Sequence, residues 1–480
     1  MKKSLLWLTV IMLCVSMVAV FSLAGCKAKA APAAEAAPEE EAAPEEEAAP
    51  EEEAKLGAKA FNWDELDLEG VTIKCAMIGG ASYEELYKTI PEFEAQTGAK
   101  VEIVFKGDGF AIDKKLKLDF AAGTVDYDVC WDHDGFFTQY IKTGGILPLE
   151  DYFTEEELAD HFPSMMDWAW KDGHLWMIPR HFDISAMLYR TDLLEEYKEE
   201  YKEETGKDLK VPDTWDEFKE TAIEMQKLLP AGVYFTQIAG KEEALTIRFW
   251  EVLIAHGGQW FDENYKPAFN SPEGVKAITM WRDLYQAGAM PPGLTSFVWE
   301  DVAMNWVAGN IVMYAEWYGW YSFFQDPEAS KVAGLFSHAR QPLGDGGIRS
   351  GGYGYHAFSV TKATENPEAA VALIKFLTDK ERQTVEAELG FLPTRQSVLD
   401  QVIENAQTAE NPEDLNRVEV LKAQVAEDAF AKPHVAEWLP ISDIIYPILQ
   451  AIILGDKDPQ EGLDEAAAKA DQLMKDAGYY

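Results

Sequence analysis

The stretch from Lys171 to Leu194, KDGHLWMIPRHFDISAMLYRTDLL, constrains the fold more than any other part of the chain. It opens on an Asp172-Gly173 turn and continues as an apolar, β-leaning run, Leu175-Trp176-Met177-Ile178. After Pro179 it crosses a polar cluster, Arg180, His181 and Asp183, and resumes as Ala186-Met187-Leu188-Tyr189. Thr191-Asp192 then predicts the N-cap of a helix beginning at Leu193-Leu194. Two apolar strand segments with charged groups between them predict a chain passing from one packed body to another. Polar residues at such a junction are placed to face a ligand held between the bodies.

The chain before this stretch supplies the first body. Val71 to Ile78 reads as a strand ended by Gly79-Gly80, and a helix is expected over about 82–96, with Leu86, Ile90 and Phe93 at helical spacing. A second strand covers Val101–Phe105, a helix about 111–122, and a third strand Tyr127–Trp131. This alternation predicts an α/β fold with a parallel, helix-covered sheet. Ligands of open α/β sheets lie outside the carboxyl ends of the strands, where Trp131, Asp132, His133 and Asp134 fall. From Phe61 onward roughly 420 residues of globular composition exceed one core, so two lobes are expected.

The N-terminus is organised for export. Met1-Lys2-Lys3 precedes an apolar run from Leu5 to Leu23 and then Ala24-Gly25-Cys26, the layout of a secretory signal. The ending LAGC resembles the lipobox of bacterial lipoproteins, in which the Cys becomes the first mature residue and carries a diacylglyceryl group. Two acyl chains suffice for stable anchoring where one does not, so the protein is expected outside the cytoplasmic membrane, tethered through Cys26 and facing the periplasm or cell exterior. Residues 27–60 are dominated by Ala, Pro and Glu, with AAPEEE repeated at 36–41, 42–47 and 48–53. Nothing there builds a core, and the segment reads as a spacer. A formal charge of -42 argues against nucleic acid and against adsorption of the body to anionic lipid, because both need clustered Lys and Arg. Of four Cys, Cys14 lies in the signal and Cys26 at the lipobox. Cys75 and Cys130 sit in predicted strands and read as packing thiols rather than a disulfide.

PEFEAQTGAKVEI (91–103), YDVCWDHDGFFTQYIKTGGILPLED (127–151), the 171–194 stretch and VPDTWDEFKETAIEM (211–225) carry a family resemblance in their order and spacing. GGQWFDENYKPAFNSPEGVKAITMWRDL (257–284), WVAGNIVMYAEWYGW (306–320), SGGYGYHAFSVTKATENPEAAVALIKFLTDKE (350–381), GFLPTR (390–395) and YPILQAIILGDKDPQEGLDEA (446–466) extend it. Together they resemble the extracellular solute-binding proteins of ABC importers, within the sugar-binding branch that includes maltose-binding protein. The resemblance implies a two-lobed periplasmic-binding-protein fold of type II, with central mixed sheets flanked by helices and a ligand cleft between the lobes. It divides the chain into a signal (1–25), a lipidated spacer (26–60), an N-terminal lobe (61–182 and 345–396) and a C-terminal lobe (183–344 and 397–480). It also implies a sugar or oligosaccharide ligand, ABC importer transmembrane subunits as partners, a monomer, no cofactor and no catalytic activity. Independently, Asn366 and Pro367 signal the start of a helix to Thr378, with Ala370, Leu373, Ile374 and Leu377 on one face.

A sugar presents flat C–H faces ringed by hydroxyls, so its site needs aromatic platforms with carboxylates, amides or guanidinium groups at their rim. By position in the family motifs, the resemblance selects Trp131 and Asp134 after the third strand and Asp183 in the crossover. In the second lobe it selects Trp317, with Trp320 as a rival and Glu316 as a hydroxyl acceptor, and Trp438. Arg180 and His181 depart from the family pattern and are candidates for substrate preference, with a structural ion pair between Arg180 and Asp183 as the alternative. Gly351-Gly352 and Tyr353 are expected to return to the cleft, and Trp250 and Arg248 lie near a further cleft segment. DHDG lacks the remaining ligands of a calcium loop. Two other readings stay open: a binder of polyols, glycerol phosphates or polyamines, and a secreted glycoside hydrolase using Asp134 and Asp183.

Overall fold

The strands and helices follow from a computed structural model that describes residues 56–80, 83–433 and 435–480. The expected signal, Cys26 and the acidic repeats lie outside the described residues. Eleven strands are present among those residues: β1 (Thr72–Ile78), β2 (Lys100–Gly107), β3 (Val129–His133), β4 (Trp170–Lys171), β5 (His174–Leu175), β6 (Ile178–Arg190), β7 (Met313–Trp317), β8 (Phe336–Ala339), β9 (Gly351–Val360), β10 (Leu392–Pro393) and β11 (Ala429–Ala431). β1 pairs in parallel with β2 and β3, as the strand–helix alternation predicts. β3 then runs antiparallel to β9, and β9 to β6, which gives a mixed sheet in the order β10-β6-β9-β3-β1-β2. β11 lies parallel to the start of β9.

β6 is the element that the 171–194 pattern anticipates, and it is one strand of 13 residues rather than two segments. Its first half, Ile178 to Ile184, pairs with β9. From Ser185 onward it pairs instead with β7, and from Met187 also with β8. One strand therefore belongs to two sheets, and the change of partner falls at Ile184-Ser185. Nearly every side chain along it is buried, so both flanking bodies cover it. Two large cores flank the strands, and the first sheet contributes to both, with Cys75 and Val129 in one and Ala76 and Cys130 in the other. Ile73, Cys75, Phe93, Phe358, Val371 and Leu373 belong to one. Trp215, Phe235, Leu253, Trp281 and Ile445 belong to the other. The helix Glu242–Ala255 is buried on almost all sides within the latter.

Several local expectations need correction. The helix expected over 82–96 is two, Tyr83–Tyr87 and Ile90–Thr97, because Pro91 is compatible only with a first helical turn. The third strand begins at Val129, not Tyr127. The helix Thr191–Thr205 already includes Thr191, and Asp192 accepts from Arg190 Nε at 2.7 Å instead of capping. Asn366 precedes the helix Pro367–Leu377 but makes no side-chain cap bond. Cys75 and Cys130 are buried free thiols, and burial pushes both thiol pKa values up. Among the described residues no helix is long and apolar enough to cross a membrane.

Candidate ligand-binding cleft

The carboxyl ends of β1, β2 and β3 face the second sheet across a cavity of about 1060 Å³, at the upper end of the usual small-molecule range of about 300–1,000 Å³. Gly79-Gly80 after β1, Gly107-Asp108 after β2, and Trp131 and His133 on β3 line one side. Asp183, opposite Gly354 in the half of β6 that pairs with β9, lines the cavity next to the partner change, and Trp317 on β7 with Trp299, Glu300 and Met304 of the helix Trp299–Val307 contribute from the other side.

The first wall is a continuous aromatic surface. Trp131 Nε1 donates to His356 Nδ1 at 3.1 Å, which places the neutral His356 proton on Nε2. Tyr83 stacks on His356 with centroids 5.4 Å apart, His181 lies 4.4 Å from both His356 and Phe391, and Tyr83 lies 5.3 Å from Phe391. Burial lowers the pKa of His133, His181 and His356, keeping the rings neutral and suited to stacking. Gly109 is required beside this wall, since a Cβ there would come within 2.9 Å of the Trp131 ring.

The opposite wall is a perpendicular pair, Trp299 and Trp317, with centroids 5.2 Å apart at 76°. The Arg248 guanidinium lies behind them, 4.9 Å from the Trp299 centroid and 5.1 Å from that of Trp317. Trp320 also reaches the cavity and is stacked on Phe324.

Asp183 is a half-buried carboxylate of the cavity, and no described cation pairs with it. Its Oδ1 accepts from Ile184 N at 3.1 Å and Gly319 N at 3.3 Å. Burial pushes its pKa up to about 8 despite these backbone donors, and Glu316 adds to the rise. Lys432 is the buried cation of the cavity, 3.2 Å from Asp134 Oδ1 and 3.6 Å from Glu243 Oε1. Lys106 is paired with Glu84 and Lys241 with Glu242, each at about 3 Å. Among the described residues no His, Cys, Asp and Glu group is arranged to hold a metal ion.

The sequence-selected residues thus separate into two sets. Trp131, Asp183 and Trp317 share the cavity, with the rival Trp320. The others stand behind it. Asp134 is buried against Lys432 and accepts from Tyr355 N. Asp132 is buried, accepts from Ser359 Oγ at 2.7 Å, and has its pKa pushed up to about 7 by that burial. Arg180 pairs with Glu386, not Asp183: its Nε donates to Glu386 Oε1 at 2.8 Å, Nη1 to the Tyr87 hydroxyl and Nη2 to the Tyr83 carbonyl. His181 is buried over the same Glu386. Glu316 lies behind Trp317, and burial pushes its pKa up to about 7 although Arg248 opposes the rise. Gly352 approaches Glu251, not the cavity, and Tyr353 packs edge-on to Trp168. Trp250 is in the core, and Trp438 packs on Trp260 while donating to Glu243 Oε1 at 2.6 Å.

Sequence reasoning missed Tyr83, Trp299, Phe391, His356 and Lys432 as cavity residues. Trp299 is the first residue of its helix and Lys432 lies in AFAKPH, so neither carried a local signal. His356 was legible in principle, because it alternates with buried Tyr355 and Ala357 along a strand.

The model of bacterial extracellular solute-binding proteins matches residues 78–384. Among curated relatives, a probable ABC transporter-binding protein of Deinococcus radiodurans is 27% identical over 331 residues, 66% of this chain and 74% of its own length. An arabinooligosaccharide-binding protein of Halalkalibacterium halodurans is 23% identical over 261 residues, 53% of this chain and 55% of its own. Among solved structures, maltose-bound MalE3 of T. maritima superposes with a TM-score of 0.73 at 27% identity, covering 84% of this chain and all of that one.

Proposed function

Because the chain belongs to the bacterial extracellular solute-binding proteins, we propose that it is the substrate-binding lipoprotein of an ABC importer. It captures a sugar or oligosaccharide between the two sheets and presents it to the importer's transmembrane subunits. The observation that carries the ligand class is the pairing of two facing aromatic walls with a carboxylate lacking a cationic partner in one large cavity. The edge of the buried Trp131 on one side and the Trp299–Trp317 pair on the other offer apolar surface for C–H faces, and Asp183 accepts a hydroxyl. Of the lysines lining the cavity, Lys106, Lys241 and Lys432 are held in ion pairs, and Asp108, Asp183 and Glu300 add carboxyl groups, which favours a neutral polyhydroxyl ligand over a phosphate. The likeness to maltose-bound MalE3 and to an arabinooligosaccharide-binding protein supports the same class.

Ligand touching both walls favours the closed arrangement of the lobes, with β6 and β9 as the connections between them. The division into lobes at 61–182 with 345–396 and 183–344 with 397–480 accords with the partner change in β6. Anchoring through Cys26 keeps the receptor beside its importer. As a hydrolase the cleft is poorly equipped, since Asp134 is held by Lys432 behind the wall rather than paired with Asp183 across a bond. Incubation with a panel of oligosaccharides, followed by both Trp fluorescence and product analysis, decides between these. A saturable fluorescence change without product supports the receptor, and product at catalytic turnover sinks it.

A further inference from the structure

Glu251 is the buried meeting point of elements that sequence places far apart. Its Oε1 accepts from Gly352 N at 2.8 Å at the start of β9 and from Ser185 Oγ on β6. Both oxygens also receive Arg248 Nη1, at 2.9 and 2.7 Å, one turn earlier on the same helix. Ser185 is the residue at which β6 leaves β9 for β7, and its partner on β7 is Trp317. A Cβ on Gly352 would lie 2.6 Å from Glu251 Oε1, so the glycine keeps the strand close to this carboxylate.

The other end of Arg248 faces the ligand wall. Its Nη2 makes no hydrogen bond and lies 3.9 Å from Glu316 Oε1, while the guanidinium carbon sits within 5.1 Å of both the Trp299 and Trp317 ring centroids. A guanidinium gripped on one edge has little rotational freedom, and the two indoles in cation–π contact with it share that restriction. We propose that Glu251 is the positioning residue of the cleft, coupling the partner change of β6 and the start of β9 to the Trp299–Trp317 wall through Arg248. The wall then moves with the crossover strands instead of with the surface helix that carries Trp299, and ligand stacking and lobe geometry become one linked variable. Glu251 itself does not touch the ligand. The inference rests on the cleft being the ligand site, but not on the ligand being a sugar.

The test has one arm without ligand and one with it. In protein labelled with 5-fluorotryptophan, the Trp299 and Trp317 resonances are assigned with Trp299→Phe and Trp317→Phe. Glu251→Gln, which keeps acceptors for Ser185 and Gly352 but removes the charge that holds Arg248, is expected to shift or broaden both and leave Trp215 unchanged. With maltose and maltotriose as probes, Glu251→Gln is expected to weaken binding on the order of tenfold in the wild-type background. In a Trp317→Ala background the same change is expected to cost less than twofold, because the coupled platform is already gone. Arg248→Lys, which retains the charge but not the planar guanidinium, provides the same cycle if Glu251→Gln fails to fold. Unmoved Trp299 and Trp317 resonances in a folded variant, or an additive cycle, overturn the coupling. If neither probe binds the wild type, a maltose-type ligand is ruled out while the fluorine spectra still decide the coupling.

Discussion

Asp183→Asn separates what the cleft costs from what it binds. Burial raises the Asp183 pKa from 3.8 to about 8 in the folded protein, whereas the unfolded chain ionises near the ordinary value. Between these pH values the folded state holds a proton that the unfolded state has released, so this group's contribution to stability falls as pH rises from about 4 to 8 and is flat above. At roughly 1.4 kcal/mol per pH unit the full window is worth on the order of 5 kcal/mol. The side chain borders the cavity and is partly wetted, which brings the working figure to about 2–5 kcal/mol. An Asn oxygen still accepts from Ile184 N and Gly319 N but carries no charge to bury. The variant is therefore expected to exceed wild-type stability by about 2–5 kcal/mol at pH 8.5 and to match it near pH 4, read from urea unfolding followed by circular dichroism. Above pH 8, where Asp183 is ionised, carbohydrate affinity should fall in the same variant, because hydroxyls donate more strongly to a carboxylate than to an amide oxygen. An identical difference in unfolding free energy at pH 4, 6 and 8.5 would refute the reasoning.

Removing Glu386 tests the buried pair beneath the aromatic wall. Burial opposes the Glu386 charge, but Arg180 and His181 outweigh it and hold the carboxyl below its ordinary range. Its stabilisation is present above the ordinary glutamate pKa and is lost as pH falls through the lower folded value. Glu386→Ala should cost about 3–5 kcal/mol at pH 7, by stranding Arg180, and progressively less in acid; a cost independent of pH in urea titrations contradicts the pairing. Cys26→Ser should move the protein from the membrane fraction to the soluble one, and retention in membranes contradicts lipidation at that residue.

The crossover was legible because its pattern is local: apolar runs on both sides of Arg180-His181-Asp183 within one strand length. Trp131 was picked out by its place beside the carboxyl end of the third strand, and Trp317 by its position in the family motif. Arg180 illustrates why the rest was hidden. Its partner Glu386 is 206 residues away, and nothing near either residue announces the pair, so a structural arginine read as a ligand group. Trp250 and Trp438 failed for a different reason. The helix around Trp250 is buried on nearly every face, which removes the amphipathic stripe that separates core from cleft. The Tyr83–His181–His356–Phe391 surface is assembled from four distant segments, and only the fold brings them together. Gly352 was read as a close approach of backbone to ligand, whereas the group that lies against it is Glu251.

The central claim is that the ligand lies between Trp131 and the Trp299–Trp317 wall. Calorimetric titration of the best carbohydrate from the panel into wild type, Trp131→Ala and Trp317→Ala tests it most directly. Each substitution is expected to weaken binding by about 1–3 kcal/mol, the range for a desolvated aromatic anchor, with the wild-type stoichiometry retained. Unchanged affinity in both variants, with both folded, would contradict the account.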